Sequence, residues 1–294
     1  AVGGDADATG VCRRRGRRRY NAAKGVTLER NARRQGRIHG AQEENAMEAT
    51  TAVVLAGGAI DPEWQARTGA RSRAEVMVGN APMYQRVLRA LQGVEAITTT
   101  LIAGDLPDGV GYIVVSPGES LLENVRLGLE RSPTNSVLFA TVDLPFLTTE
   151  SVKFFLSESL RSGASLTYAV VPADLCRERF PQLKRTTVRL REGEVTGGNL
   201  FWAQRAVALQ HLPRLEALYR ARKQPLRLAK HIGWGLLMRF VLAQAISPRL
   251  LSIGQIEKRV ARILHAPVKA ILTPYPEIGT DIDRLEHWLT VRDC

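Results

Sequence analysis

Cysteine is scarce: Cys12, Cys176 and Cys294 lie far apart and form no C-x-x-C pair. That excludes a disulfide framework and a Cys-ligated zinc site, and makes a reducing cytoplasm the expected compartment. Long apolar runs are missing as well. The apolar stretch 232–245 is well short of the roughly 20 residues a membrane-crossing helix needs, and the first residues lack the apolar core of a secretory signal. Acidic residues are outnumbered, 29 Asp+Glu against 41 Lys+Arg, for a net charge of +12. Residues 1–46 hold 11 of the cations and 5 of the acids, so half of the excess sits in a short leader. That leader has an arginine-rich run at 13–19 and almost no large apolar residues. It cannot bury enough surface to offset the entropy of ordering it, and is expected to be disordered. Met47 stands just before the first strand, so the leader reads as an extension the folded domain can do without. An arginine run can bind nucleic acid through counterion release, but no nucleic-acid partner is expected for the folded domain, 47–294.

What is present is organised around the stretch 137–150. Residues 137–142 have the length and β-branched content of a strand buried on both faces of a parallel sheet. Asp143 follows, Pro145 ends the run, and Thr148 reads as the N-cap of the next helix. A carboxylate at the carboxyl end of a central strand stands where open α/β sheets place ligands, and suits a divalent metal.

Upstream, 51–55 reads as a strand running into Gly57-Gly58. Glycines there let main-chain N–H groups approach a phosphate closely. The following stretch, to Asn80, has no long hydrophobic period and reads as a loop carrying Arg67, Gly69, Arg71 and Arg73. A helix is predicted over 83–91, strands over 97–103 and 112–115, a helix over 121–131 with Asn124 in its first turns, a helix over 149–161 and a strand over 165–171. That alternation predicts βαβ units and a three-layer α/β/α sandwich with a mostly parallel sheet. Residues 179–191 read as an exposed strand and Gly197-Gly198, taken alone, as a turn. A helical insertion is expected over about 204–265, then a strand over 266–272 and a closing helix over 285–291.

Four landmarks in order, Leu55-Ala56-Gly57-Gly58, Asp143-Leu144-Pro145, Thr196-Gly197-Gly198-Asn199 and Asp281-Ile282-Asp283, together resemble the MobA-like NTP transferases, nucleotidyltransferases of GT-A-like fold. The resemblance covers roughly residues 50–292. It implies transfer of an NMP from an NTP, GTP among the candidates, to a small phosphorylated acceptor with release of pyrophosphate. On that reading Leu55, Ala56, Gly57, Gly58 and Asn124 bind the nucleotide, Asn124 near the base or ribose. Asp143 holds Mg2+ together with a second carboxylate, for which Asp283, just ahead of the final helix, is favoured. Gly198 and Asn199 meet the acceptor. Arg67 and Arg73 neutralise the phosphates. The family usually has a lysine in the loop where this sequence has Arg73; the charge is kept, but the group is bulkier and aims differently.

Blander readings remain open on the residues alone. Asp143 could cap the helix at Thr148, and Asp281 and Asp283 could cap the last one. The five cations in 220–230 read as a solvated face beside a buried core helix, although a basic segment next to an apolar one can also lie on a membrane. A GT-A glycosyltransferase using a nucleotide sugar, or a nucleotide-binding protein without catalysis, would use much of the same machinery.

Overall fold

The computed structural model describes residues 48–58, 60–221 and 233–294. The leader, Met47, Cys12, His231 and most of the basic run 220–230 lie outside the described residues. In chain order the elements are β1 (Thr50–Leu55), α1 (Pro62–Thr68), β2 (Met77–Val78), β3 (Ala81–Pro82), α2 (Met83–Gln92), β4 (Ile97–Ala103), β5 (Ile113–Val115), α3 (Leu121–Arg131), β6 (Ser136–Thr141), α4 (Thr149–Arg161), β7 (Leu166–Pro172), α5 (Ala173–Arg179), β8 (Val188–Leu190), β9 (Gly193–Gln204), α6 (Arg205–Ala221), α7 (Trp234–Ala245), α8 (Ile253–Leu264), β10 (Val268–Leu272) and α9 (Leu285–Val291).

The main sheet runs β10-β7-β9-β6-β1-β4-β5, with β8 paired to β9. β1 is parallel to β4 and β6, β4 to β5 and β10 to β7, while β9 is antiparallel to both neighbours. Successive side chains of a strand point to opposite faces. Accordingly Ala52, Val54, Leu138 and Ala140 pack under α2 and α4 with Val87, Leu91, Phe155 and Leu156, and Val53, Leu55, Val137 and Phe139 pack under α3, α6 and α8 with Val125, Leu129, Ala208 and Leu264. Helices on both faces of one mostly parallel sheet make the expected three layers.

The expected loop before Asn80 contains a helix. α1 is too short to show a hydrophobic period and buries only Trp64; its signals are local, with Asp61 accepting from the Glu63 N–H at 2.9 Å, Pro62 at the first helical position and Gly69 at φ 69°. β9 runs on to Gln204, and the first helix of the insertion, α6, opens directly after it at Arg205. Thr196–Asn199 therefore lies inside a strand rather than a turn. Phe139 and Phe201, register partners on β6 and β9, stack their rings with centroids 4.4 Å apart and help lock the antiparallel strand into place. Of the predicted strand 179–191 only β8 forms. The cap readings also fall away: α4 is capped by Thr148 in a capping box with Ser151, and α9 begins after Arg284 with no side-chain cap.

A smaller core supports the region between β1 and α2. Trp64, Val76, Val78 and Met83 pack with Ile282 and Val291, so α9 closes beneath α1 and the β2–β3 hairpin. Trp288 Nε1 donates to the Met77 carbonyl at 2.7 Å, and the Gly79 N–H to the Arg292 carbonyl at 2.6 Å.

Candidate active site

β1 lies between β4, which follows it in the chain, and β6 on its other side. At such a switch in strand order the loops leave in opposite directions and open a crevice at the carboxyl ends. The Val142 N–H donates to the Leu55 carbonyl at 3.2 Å, so the ends of β1 and β6 are level. Ala56, Gly57 and Gly58 line a cleft of about 500 Å3 together with Arg71, Ser72, Asp105 and Pro117. The Leu55 side chain is instead buried in the core beneath. Gly58 has φ 126°, a conformation that turns the main chain over at glycine's low cost. A Cβ on Gly57 would stand 2.3 Å from Asn124 Nδ2. Asn124 is buried, and its Oδ1 accepts from the Gly118 N–H at 2.7 Å. It thus braces the glycine loop against the 116–120 loop from behind.

Asp143 sits one residue beyond Val142, and its main-chain carbonyl accepts from the Ile282 N–H at 2.9 Å. That bond brings the 280–283 segment onto the end of β6. The acid whose charge acts on Asp143 is Asp281: burial foremost, and then the nearby Asp281 carboxylate, push the Asp143 carboxyl above the usual range. Asp143 Oδ1 is buried without a well-formed hydrogen bond, the Thr141 hydroxyl only partly offsetting the rise, while Oδ2 lies 3.4 Å from Arg73 Nη1. Asp281 Oδ1 accepts from Asn199 Nδ2 at 2.8 Å and is paired with Arg185. The result is a row of charged groups, Arg73, Asp143, Asp281 and Arg185, with the two acids in the middle and a cation at each end.

The structure therefore brings together Gly57, Gly58, Arg73, Asp143 and Asn199. Asp283, expected beside Asp143, instead has a side chain 43 % exposed and stands 3.0 Å from His287 Nδ1. The reason is strand-like alternation about Ile282: its side chain is anchored in the small core, Asp281 faces the cleft end of β6 and Asp283 leaves on another side. Arg67 stands exposed in the last turn of α1, whereas Arg71 lines the cleft. Arg73 packs over the Trp64 ring at 5.9 Å, so the unanticipated helix α1 aims it. Gly198 is buried, with a Cβ there 2.7 Å from the Ala169 Cβ and 2.9 Å from Ile278 Cγ2. It lets β9 pack closely while its neighbour Asn199 reaches Asp281. Gly198→Ala should lower stability by about 1–3 kcal/mol, read from denaturant melts, because backbone and packed side chains must move apart.

Two participants carried little signal. Arg185 falls within 179–191, where the reading as an exposed strand gives no reason to single it out. Asp105 lines the cleft just beyond β4, and the strand-end reasoning that singled out Asp143 would have found it. Among the described residues no group of three or more His, Cys, Asp or Glu could hold a metal. The donors available for a divalent cation are Asp143 and Asp281, a pair whose repulsion a cation would relieve, along with the buried Oδ1 that lacks a well-formed hydrogen bond.

Residues 52–232 match the MobA-like NTP transferase domain. A solved hypothetical transferase structure from Thermus thermophilus is 37% identical over 81% of this chain and 98% of its own, with a TM-score of 0.71. CMP:2-keto-3-deoxy-manno-octonic acid synthetase, solved with CTP, shares the fold at 12% identity and a TM-score of 0.51, over 83% of this chain and 97% of its own. No curated protein matches the chain significantly. With a glycine loop and a strand-end carboxylate meeting at one crevice, and a family match over more than half its length, the chain belongs to the MobA-like NTP transferases and is a nucleotidyltransferase.

Proposed function

We propose that the enzyme transfers an NMP from an NTP to a small phosphorylated acceptor, releases pyrophosphate, and uses Mg2+ held by Asp143 and Asp281. Support for this reading comes from the Ile282-to-Asp143 main-chain bond, which draws the segment carrying Asp281 onto the end of β6, where the Asp281 charge acts on the buried Asp143 carboxyl. In such a site Mg2+ neutralises phosphate charge and orients the reacting groups, taking one or two carboxylates and keeping waters and phosphates as its other ligands. The Gly57 and Gly58 N–H groups cradle the triphosphate. Arg71, at the cleft wall, takes the part expected of Arg67, and Arg73 holds the charge beside Asp143. An acceptor phosphate oxygen attacks the α-phosphorus; the new P–O bond forms as the bond to the bridging oxygen breaks, and pyrophosphate leaves with that electron pair. Positioning and charge stabilisation do most of the work in such a transfer. Asn124 acts by bracing the glycine loop, and Asn199 by fixing Asp281 on the acceptor side.

The test is a thermal-shift screen of ATP, GTP, CTP and UTP with and without Mg2+. One nucleotide should stabilise the protein in a Mg2+-dependent way, by about 2.7 kcal/mol at about a hundred times its Kd. Stabilisation by none of them, or identically without Mg2+, would refute the metal-assisted reading.

A further inference from the structure

On the face of the sheet that carries α6 and α8, the helical layer leaves a window. Along β7, Leu166 is buried in the core beneath those helices and Val170 packs against Leu190 and Val195, but Tyr168 between them is 46% exposed. An inner strand of a sheet covered on both faces ordinarily hides such a ring. Two features of β9 open the gap. Tyr168 pairs with Phe201 and Val170 with Gly197, so residues 198–200 of β9 all face Ala169, and this bulge carries Asn199 to Asp281. Gly197 is exposed and makes room for the tyrosine, since a Cβ there would stand 2.6 Å from the Tyr168 hydroxyl oxygen. Beside the window stands Arg185. Its guanidinium pairs with the Asp281 carboxylate, Nη1 lies 3.5 Å from the Asp281 carbonyl oxygen, and Nε has no hydrogen-bond partner among the described residues. Burial and then the Asp281 carboxylate push the Tyr168 hydroxyl above its usual range, with Arg185 opposing, so the three groups share one field.

We infer that Arg185 and Tyr168 form the acceptor subsite, Arg185 taking the phosphate of a phosphomonoester and Tyr168 lying against its uncharged body. The inference rests on the transferase reading above. In-line displacement puts the attacking oxygen on the side of the α-phosphorus away from the departing pyrophosphate. Gly57, Gly58, Arg71 and Arg73 mark the nucleotide side of the two acids, and Arg185 is the cation at the other end of the row. Once the Asp281 charge is shared with a bound cation, the Arg185 guanidinium is under-compensated, and its planar fork suits two oxygens of a phosphate. The Tyr168 ring offers an apolar face with a polar tip to whatever carries that phosphate.

The test is calorimetric titration of orthophosphate and of ribose 5-phosphate into the full chain loaded with Mg2+ and the α,β-methylene analogue of the nucleotide that stabilises it. Both probes should bind. Arg185→Gln should weaken both by about ten- to a hundredfold, the usual loss for a charge-assisted bond, and Arg185→Lys should fall in between because it keeps the charge without the fork. Tyr168→Ala should weaken ribose 5-phosphate by about tenfold and orthophosphate by less than about twofold, because orthophosphate has no body to lie on the ring. Arg161→Gln, at an exposed cation ending α4, should change neither. Every variant should keep the parent's melt and its affinity for the Mg2+-loaded analogue. A parent that binds neither probe overturns the inference, as does an equal loss in Arg161→Gln and Arg185→Gln, which would mark an adventitious ion only. A fall in analogue affinity as large as the fall in phosphate affinity in Arg185→Gln would mark a residue that merely holds Asp281, and a Tyr168→Ala variant indistinguishable from the parent would remove the tyrosine; either overturns it too. Absence of any nucleotide binding removes the transferase reading and this one with it, whereas nucleotide binding with phosphate affinity indifferent to Arg185 removes this one alone.

Discussion

Asp143→Asn is expected to abolish nucleotidyl transfer, lowering kcat by about a thousandfold or more, as loss of a ligand to the cation that offsets phosphate charge does. The fold should survive, because the side chain packs no core and its main-chain carbonyl still accepts from Ile282. Without metal the variant should melt higher than the parent. The sign follows from the raised pKa of the buried acid, since a carboxyl whose folded value exceeds its unfolded value favours the native state at low pH and costs stability as pH rises through that window. An uncharged amide removes the penalty. Pyrophosphate release with the cognate nucleotide and paired melts with and without Mg2+ read both effects. Activity within tenfold of the parent would remove Asp143 from the chemistry.

The second large effect separates two carboxylates that differ by two positions. Asp281→Asn should lower kcat by roughly a hundredfold or more, while Asp283→Asn should leave it within about threefold. Asp281 adjoins Asp143 and is held by Asn199 and Arg185; Asp283 is mostly solvated beside His287. Mg2+ titration of each variant provides the companion readout: the apparent metal affinity should fall only for the change at 281. The reverse ranking would restore the assignment that the sequence alone favours.

That ranking shows where the sequence is legible. Strand ends are, because a buried β-run announces itself by composition and the next residue is then fixed in space; Gly57, Gly58 and Asp143 follow from that alone. The choice between Asp281 and Asp283 depends on which side of an irregular segment faces β6, and no periodicity encodes that. α1 escapes notice because one buried tryptophan makes no pattern, yet it aims Arg73. β9 is obscured because paired glycines usually signal a turn, while here Gly198 serves close packing against Ala169. α7 misleads in the opposite way. Its apolar composition speaks of an interior, yet of its residues only Ala243 is buried and Trp234, Met238 and Val241 face outward.

The clasp between Ile282 and Asp143 has a temporal consequence. One half of the acidic pair emerges from the ribosome near mid-chain and the other only with the final segment. On the proposed reading the metal pair is complete only once residue 281 has been made and the 280–283 segment has docked on the end of β6.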